Sequence, residues 1–155
     1  GILFSGIGWY TRLEFPYLNN IMEQGEYVHI EQAILKIYPE VGTYSDYNVL
    51  PDSIFLYIAD ENNVVTDAVK DYLGDEEQSG KLIKDDLFFG NTYYYFDVSQ
   101  FMQKELGASG KNKHNLQLVF NSDDYTKTLK NMTFSDSNGQ FPITLQLNYK
   151  IYESY

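Results

Sequence analysis

The segment of residues 142–152 has the most regular periodicity in the chain. After Pro142, five apolar residues alternate with five polar or amphipathic ones: Ile143, Leu145, Leu147, Tyr149 and Ile151 against Thr144, Gln146, Asn148, Lys150 and Tyr152. Successive side chains of a β-strand point to opposite faces of its sheet, so this period of two predicts a strand with one buried face. Such a strand has to pack against other strands, and the chain is therefore expected to be a β protein.

Further strands are predicted at 7–15, 28–38, 53–59 and 131–134, with short ones at 81–83 and 87–89. Turn-forming residues separate them, as at 60–63 and 135–139. Short strands joined by turns are typical of an all-β, antiparallel β-sandwich of the jelly-roll type. At 155 residues, the chain is predicted to be a single domain over 1–155, with one or two short helices. Residues 17–22 favour one helical turn, and residues 64–73 fit a helix and a strand equally well.

An aromatic run changes period where a helix is predicted. Tyr93, Tyr94, Tyr95 and Phe96 are typical of a strand, because aromatic side chains fit a pleated, half-buried surface. Four apolar residues then follow at helical spacing: Val98, Phe101, Met102 and Leu106. Asp97 stands between the two patterns and is predicted to cap the helix. We therefore expect a strand followed at once by a short helix that covers the end of the core.

Charge and composition exclude several classes of function. The formal net charge is −11, which disfavours nucleic acid and anionic lipid as partners because both require basic residues. The absence of cysteine excludes thiol catalysis and thiolate metal sites. No apolar run approaches the roughly 20 residues that span a bilayer, so direct membrane insertion by this sequence is not expected.

The surplus of aromatic residues indicates a binding surface. The chain has 15 Tyr and 10 Phe, more than one buried face of alternating strands can accommodate. Exposed rings offer flat apolar area with a polar group, which suits sugar rings or another protein. The predicted ligand-binding residues are Trp9, Tyr10, Tyr93, Tyr94 and Tyr95. The alternative is that these rings cover the rim of the core.

Acidic turns make calcium the one metal to consider. Asp60, Asn62, Asp123 and Asp124 carry the oxygen ligands that calcium prefers, although no EF-hand spacing occurs, and we expect no other cofactor. We expect no catalytic residues. His29 and His114 are isolated in the sequence, no Gly-x-Ser-x-Gly elbow is present, and the carboxylate clusters are typical of solvated loops.

The order of the segments resembles a known family. Six motifs carry the likeness: Thr11-Arg12-Leu13-Glu14-Phe15, Ile30-Glu31-Gln32-Ala33-Ile34-Leu35-Lys36-Ile37-Tyr38, Ile54-Phe55-Leu56-Tyr57, Phe96-Asp97-Val98-Ser99, Leu116-Gln117-Leu118-Val119 and Pro142-Ile143-Thr144-Leu145-Gln146-Leu147-Asn148-Tyr149. They resemble the jelly-roll modules of the DNRLRE type, which are similar to carbohydrate-binding modules, and more closely the C-terminal domain of a family of Bacteroidetes (Bacteroides-type) lipoproteins of unknown function.

The resemblance implies a place in the cell envelope, as the C-terminal part of a longer outer-membrane lipoprotein that is periplasmic or surface-exposed. It brings no binding or catalytic residue with it, because the motifs are strand patterns. On this basis the expected function is non-catalytic binding of a glycan or of another envelope protein. A structural or assembly domain without a small ligand, and a glycan-processing enzyme, are the alternatives.

Overall fold

A computed structural model describes residues 1–5, 9–24, 27–71, 74, 76–85, 87, 91–107, 113–120, 130–135 and 141–152. Within these residues there are ten strands, one α-helix (α1, Ser99–Gly107) and one 3-10 helix (Leu18–Gln24). The strands are β1 (Ile2–Phe4), β2 (Thr11–Leu13), β3 (Tyr27–Ile37), β4 (Ser53–Ala59), β5 (Val65–Ala68), β6 (Ser79–Ile83), β7 (Tyr93–Asp97), β8 (Asn115–Phe120), β9 (Asn131–Thr133) and β10 (Thr144–Tyr152).

Eight of the strands form one antiparallel sheet in the order β10-β3-β7-β6-β4-β8-β2, with β5 paired to β4 beyond the end of β6. The consecutive strands β2, β3 and β4 alternate between the two halves of this order, with β2 and β4 on one side of β6 and β3 on the other, as successive strands alternate between the sheets of jelly rolls. The remaining pair, β1 with β9, forms a small separate sheet. Buried Leu3 and Met132 attach that sheet to the core.

The large sheet turns a corner at β6. Residues Ser79 to Lys81 pair with β4, whereas Leu82 and Ile83 pair with β7 on the other side of the strand. The sheet therefore doubles back on itself, and β10, β3 and β7 form one layer while β4, β8 and β2 form the other. Side chains from both layers, including Leu35 and Leu118, join in one core cluster. This arrangement confirms the predicted all-β antiparallel sandwich.

The inward face of β3 shifts by one residue along the strand. Val28 and Ile30 are buried in its first half, and Ala33, Leu35 and Ile37 in its second half. The pairing with β10 slips at the same place, between Asn148 and Tyr149, which is the signature of a β-bulge. Simple alternation predicted Ile30 and Ala33 on opposite faces, and the bulge is the reason that both point inward.

Helix α1 takes the place of β7 beside the first half of β3. The side chains of Gln103 and Ser99 accept hydrogen bonds from the backbone N–H groups of Ile30 (2.7 Å) and Ala33 (2.8 Å). At the start of the helix, Asp97 Oδ1 accepts a hydrogen bond from the N–H of Ser99 (2.9 Å), so Asp97 satisfies a free helical donor as predicted. The first helical bond runs from Met102 N–H to Val98 O, which places the helix start one residue later than Asp97.

Some sequence predictions differ from the structure at element ends. The strand predicted over 7–15 is limited to Thr11–Leu13 among the described residues, since 6–8 lie outside them. The segment 64–73 contains strand β5, which a turn at Asn63 (φ 64°) returns along β4. The helical turn predicted at 17–22 is a 3-10 helix, and part of the strand predicted at 87–89 lies outside the described residues.

Gly80 is expected to be essential to the corner. A Cβ atom at this position would lie 2.1 Å from Cζ of the Phe96 ring, which is fully buried in the core. We predict that Gly80→Ala lowers the free energy of unfolding by about 1–3 kcal/mol, the usual range for overpacking a core. Gly107→Ala is the matched control, because a Cβ atom there has nothing within 4 Å. Urea unfolding of both variants measures the difference, and equal stabilities would contradict this role of Gly80.

Candidate functional site

The pleat of β7 divides the aromatic run between the two faces of its layer. Tyr94 and Phe96 are fully buried and point into the core. Tyr93 is half-buried, and Tyr95 is 45% exposed on the opposite face. The run therefore supplies both core side chains and surface rings, as alternation requires.

Tyr94 departs from the sequence prediction, which grouped it with the ligand-binding residues. Its ring is 0% exposed, and its hydroxyl donates a hydrogen bond of 2.6 Å to the carbonyl oxygen of Pro51. A tyrosine in this position ties β7 to the residue just before β4 and has no surface to offer a ligand.

Tyr93 and Tyr95 belong to a larger surface, which we call the aromatic face and define as Tyr38, Tyr93, Tyr95 and Phe141. The ring of Tyr38 lies between two others, with its centroid 5.6 Å from that of Tyr93 and 6.2 Å from that of Phe141. Tyr38 and Phe141 were not among the predicted site residues. The available signal for Tyr38 was its position two residues after Lys36, which places both on the outward face of β3.

Polar groups surround the aromatic face. Lys36 is the cross-strand partner of Tyr95, and its Nζ lies 5.1 Å from the ring centroid of Tyr93, a cation–π contact that fixes the position of the ammonium group. Thr144 pairs with Lys36 from the other side, and Gln146 follows on the same face of β10; both are exposed. Rings, an ammonium group, a hydroxyl and an amide thus share one side of the layer.

Trp9 and Tyr10 form a separate group. They precede β2, the strand at the far end of the sheet order from β10, and are 56% and 42% exposed. The indole of Trp9 meets the ring of Phe4 edge to face, with centroids 6.0 Å apart. The predicted surface residues therefore fall into two groups, one on the aromatic face and one beside β1 and β2.

Calcium was predicted at Asp60, Asn62, Asp123 and Asp124. The first two belong to a turn that the structure describes, and the other two lie outside the described residues. Asp60 Oδ1 accepts hydrogen bonds from the N–H groups of Asn62 and Val64, both 2.9 Å, and so stabilises the turn before β5. Among the described residues, no cluster of three or more His, Asp or Glu side chains is arranged to hold a metal ion. Calcium binding stays a prediction.

A charged cleft of about 350 Å³ lies between the start of β8 and the segment after β2. At its rim, His114 Nδ1 lies 2.6 Å from Glu105 Oε1, and the other carboxylate oxygen accepts the N–H groups of Lys113 (3.0 Å) and His114 (3.3 Å). Glu105 is only 4% exposed. The sequence did not predict this pair, because Glu105 belongs to α1 and His114 stands just before β8, nine residues further along the chain. With both oxygens engaged, Glu105 anchors the chain at the entrance to β8.

An open apolar groove of about 490 Å³ runs beside β10, between this edge strand and the 3-10 helix. Its apolar lining comes from both sides: Phe15, Pro16, Tyr17, Leu18, Ile21, Ile143, Leu145 and Leu147. The groove explains why the inward face of β10, although regular in sequence, is only half-buried.

Comparison of the chain with models of protein families, with curated proteins and with solved structures found no match. None of the helices in the described ranges has the length and apolar character needed to cross a membrane.

Two neighbouring tyrosines of β7 are predicted to respond differently to loss of the hydroxyl. Tyr94→Phe leaves the buried Pro51 carbonyl without its hydrogen bond and should lower the free energy of unfolding by about 1 kcal/mol or more. Tyr95→Phe changes an exposed ring and should stay within about 0.5 kcal/mol of the parent. Chemical denaturation measures both values. The assignment fails if the two variants lose the same stability.

Proposed function

We propose that this domain is a non-catalytic carbohydrate-binding module of the cell envelope and that glycan binds on the aromatic face. The observation that carries the proposal is the row of rings formed by Phe141, Tyr38 and Tyr93, with exposed Tyr95 beside it, on the outward side of one layer. The hydrophobic C–H faces of sugars pack on flat aromatic rings, and tyrosine hydroxyls add hydrogen bonds at the edge.

The position of the rings on a sheet supports binding energetically. Tyr93 and Tyr95 lie on a strand paired to β3 on one side and β6 on the other, and Tyr38 directly follows β3. Their backbones are therefore ordered before any ligand arrives, and only side-chain freedom remains to be lost on binding. Thr144 and Gln146 supply hydrogen-bonding groups for sugar hydroxyls at the border of the same surface.

The address in the cell envelope rests on the resemblance of the strand motifs to the lipoprotein family. A net charge of −11 disfavours nucleic acid as the partner, because binding to phosphates requires basic residues. The same surface could hold an envelope protein, but exposed hydroxyl and amide groups border the rings, and we favour glycan for that reason.

Binding should depend on the aromatic face and not on Trp9. Affinity electrophoresis through gels that contain soluble polysaccharides, together with a glycan array, would identify a retained glycan. We expect Tyr95→Ala and Tyr93→Ala to weaken that retention by about tenfold or more, equivalent to about 1.4 kcal/mol. Trp9→Ala removes an equally exposed ring from the other group and should leave retention unchanged.

Different results would favour different conclusions. Loss of binding in Trp9→Ala but not in Tyr95→Ala would move the site to the group beside β2. Absence of retention on every polysaccharide, combined with concentration-dependent association in analytical ultracentrifugation, would favour the alternative of an assembly domain. Release of reducing sugar ends from a bound polysaccharide would instead favour a glycan-processing enzyme and overturn the non-catalytic assignment.

A further inference from the structure

Two lysines border the most exposed ring of the aromatic face. Lys36 of β3 is the cross-strand partner of Tyr95. On the opposite side of β7, Ile83 of β6 pairs with Tyr93, and Lys81 lies two residues before Ile83 on the same outward face. The pairing of β6 with β7 ends at Leu82 and Tyr94, so Lys81 is the first outward residue of β6 past that pair, at the corner and toward the Tyr95 end of β7. Tyr95 thus has a paired lysine on β3 and a second, exposed lysine at the corner of β6.

This local charge is opposite to that of the whole chain. The sequence has 22 acidic and 11 basic residues, yet the outward positions of β6, β3 and β10 near Tyr93 and Tyr95 carry two lysines and no carboxylate: Lys81, Ile83, Lys36, Thr144 and Gln146. On β7 itself, Asp97 lies two residues after Tyr95 on the same face, and its Oδ1 accepts a hydrogen bond from the N–H of Ser99 at the start of α1. The local balance is therefore two lysines to one carboxylate. Within the described part of the chain, neither Lys36 nor Lys81 forms an ion pair with a carboxylate. Among these residues, no carboxylate competes with an external anion for either ammonium group.

The cation–π contact with Tyr93 orients the ammonium group of Lys36. The ring of Tyr93 holds Lys36 Nζ at 5.1 Å from its centroid, which keeps the ammonium group on the aromatic face instead of in bulk solvent. Tyr95, 45% exposed, is the cross-strand partner of Lys36, and Lys81 is exposed on β6. A sugar lying on Tyr95 would have its substituents directed toward a positive group on either side.

We propose that the ligand is an acidic glycan, whose sugar ring packs on Tyr95 and whose carboxylate or sulfate group lies against Lys36 and Lys81. The inference rests on the proposed carbohydrate-binding function and adds the chemical class of the sugar. The net charge of −11 does not oppose it at close range, because charges beyond about 8 Å are largely screened at physiological ionic strength. Recognition of the anion is local and should weaken as salt is raised.

The test compares polysaccharides that differ only in charge. Polygalacturonate and its methyl ester share one backbone, and dextran sulfate and dextran share another. In affinity electrophoresis we expect at least one charged member to bind about tenfold more tightly than its neutral counterpart, the gain available from two exposed charge pairs. Preference for polygalacturonate identifies the anion as a carboxylate, and preference for dextran sulfate identifies it as a sulfate.

Variants then connect the preference to the two lysines. The double variant Lys36→Gln/Lys81→Gln should lose the preference for the charged polymer. Lys150→Gln is the control for loss of a lysine elsewhere on the sheet. Lys150 is paired with Glu31, and its cross-strand partner His29 lies seven residues along β3 from Lys36, about 20 Å away at strand spacing. This control variant should keep the preference. Thermal unfolding of each variant shows whether the fold is intact.

The outcomes separate this inference from the function on which it rests. Equal binding of charged and neutral members, with loss in Tyr95→Ala, overturns the acidic ligand and leaves carbohydrate binding in place. A charge preference that survives in Lys36→Gln/Lys81→Gln also overturns it, because the anion is then held elsewhere. No retention of any polysaccharide contradicts the proposed function itself.

Discussion

The corner at β6 is the constraint on which the rest of the structure depends. One strand has to pair with β4 through its first half and with β7 through its second half, so that a single sheet becomes two layers. The contact that permits this is the Phe96 ring, packed against the backbone of Gly80 with no room for a Cβ atom. Gln78 completes the corner, because its side chain both accepts from the N–H of Asp97 (2.6 Å) and donates to its carbonyl oxygen (2.9 Å). A side chain thus replaces the ladder bonds that the diverging strands no longer make.

The same strand that closes the core also builds the candidate site. Phe96 and Tyr94 point inward and hold β7 against β6 and the segment before β4, and the pleat then directs Tyr93 and Tyr95 outward. The orientation of the surface rings is therefore a consequence of how their neighbours are buried. The backbone under the candidate site is thus held by buried side chains of the same strand, although Tyr95 itself is exposed.

The sequence predicted the parts of the fold that arise from local pattern. Alternation located β10 and β4, the period change after Phe96 located α1, and Asp97 contributes its oxygen to the helix start as its residue type predicts. Prediction was less successful where contacts between distant parts of the chain determine the local structure. The inward face of β3 depends on a bulge set by its pairing with β10, and segment 64–73 became a strand because β4 offered it a free edge. The pair of Glu105 and His114 forms only when the chain returns from α1 to β8.

For the site, the sequence by itself determined a surplus of aromatic residues, 15 Tyr and 10 Phe, and a run of four of them on one strand. Alternation alone leaves open which face of β7 is inward, so the division between Tyr94 and its neighbours was decided by tertiary packing against Gly80 and Pro51. The surroundings of the rings were decided in the same way. The pairing of β3 with β7 brings Lys36 beside Tyr95, because hydrogen bonds between strands set which residues become neighbours. Ring contacts then join Tyr38 to Tyr93 and Phe141 to Tyr38, although these residues are far apart in the sequence.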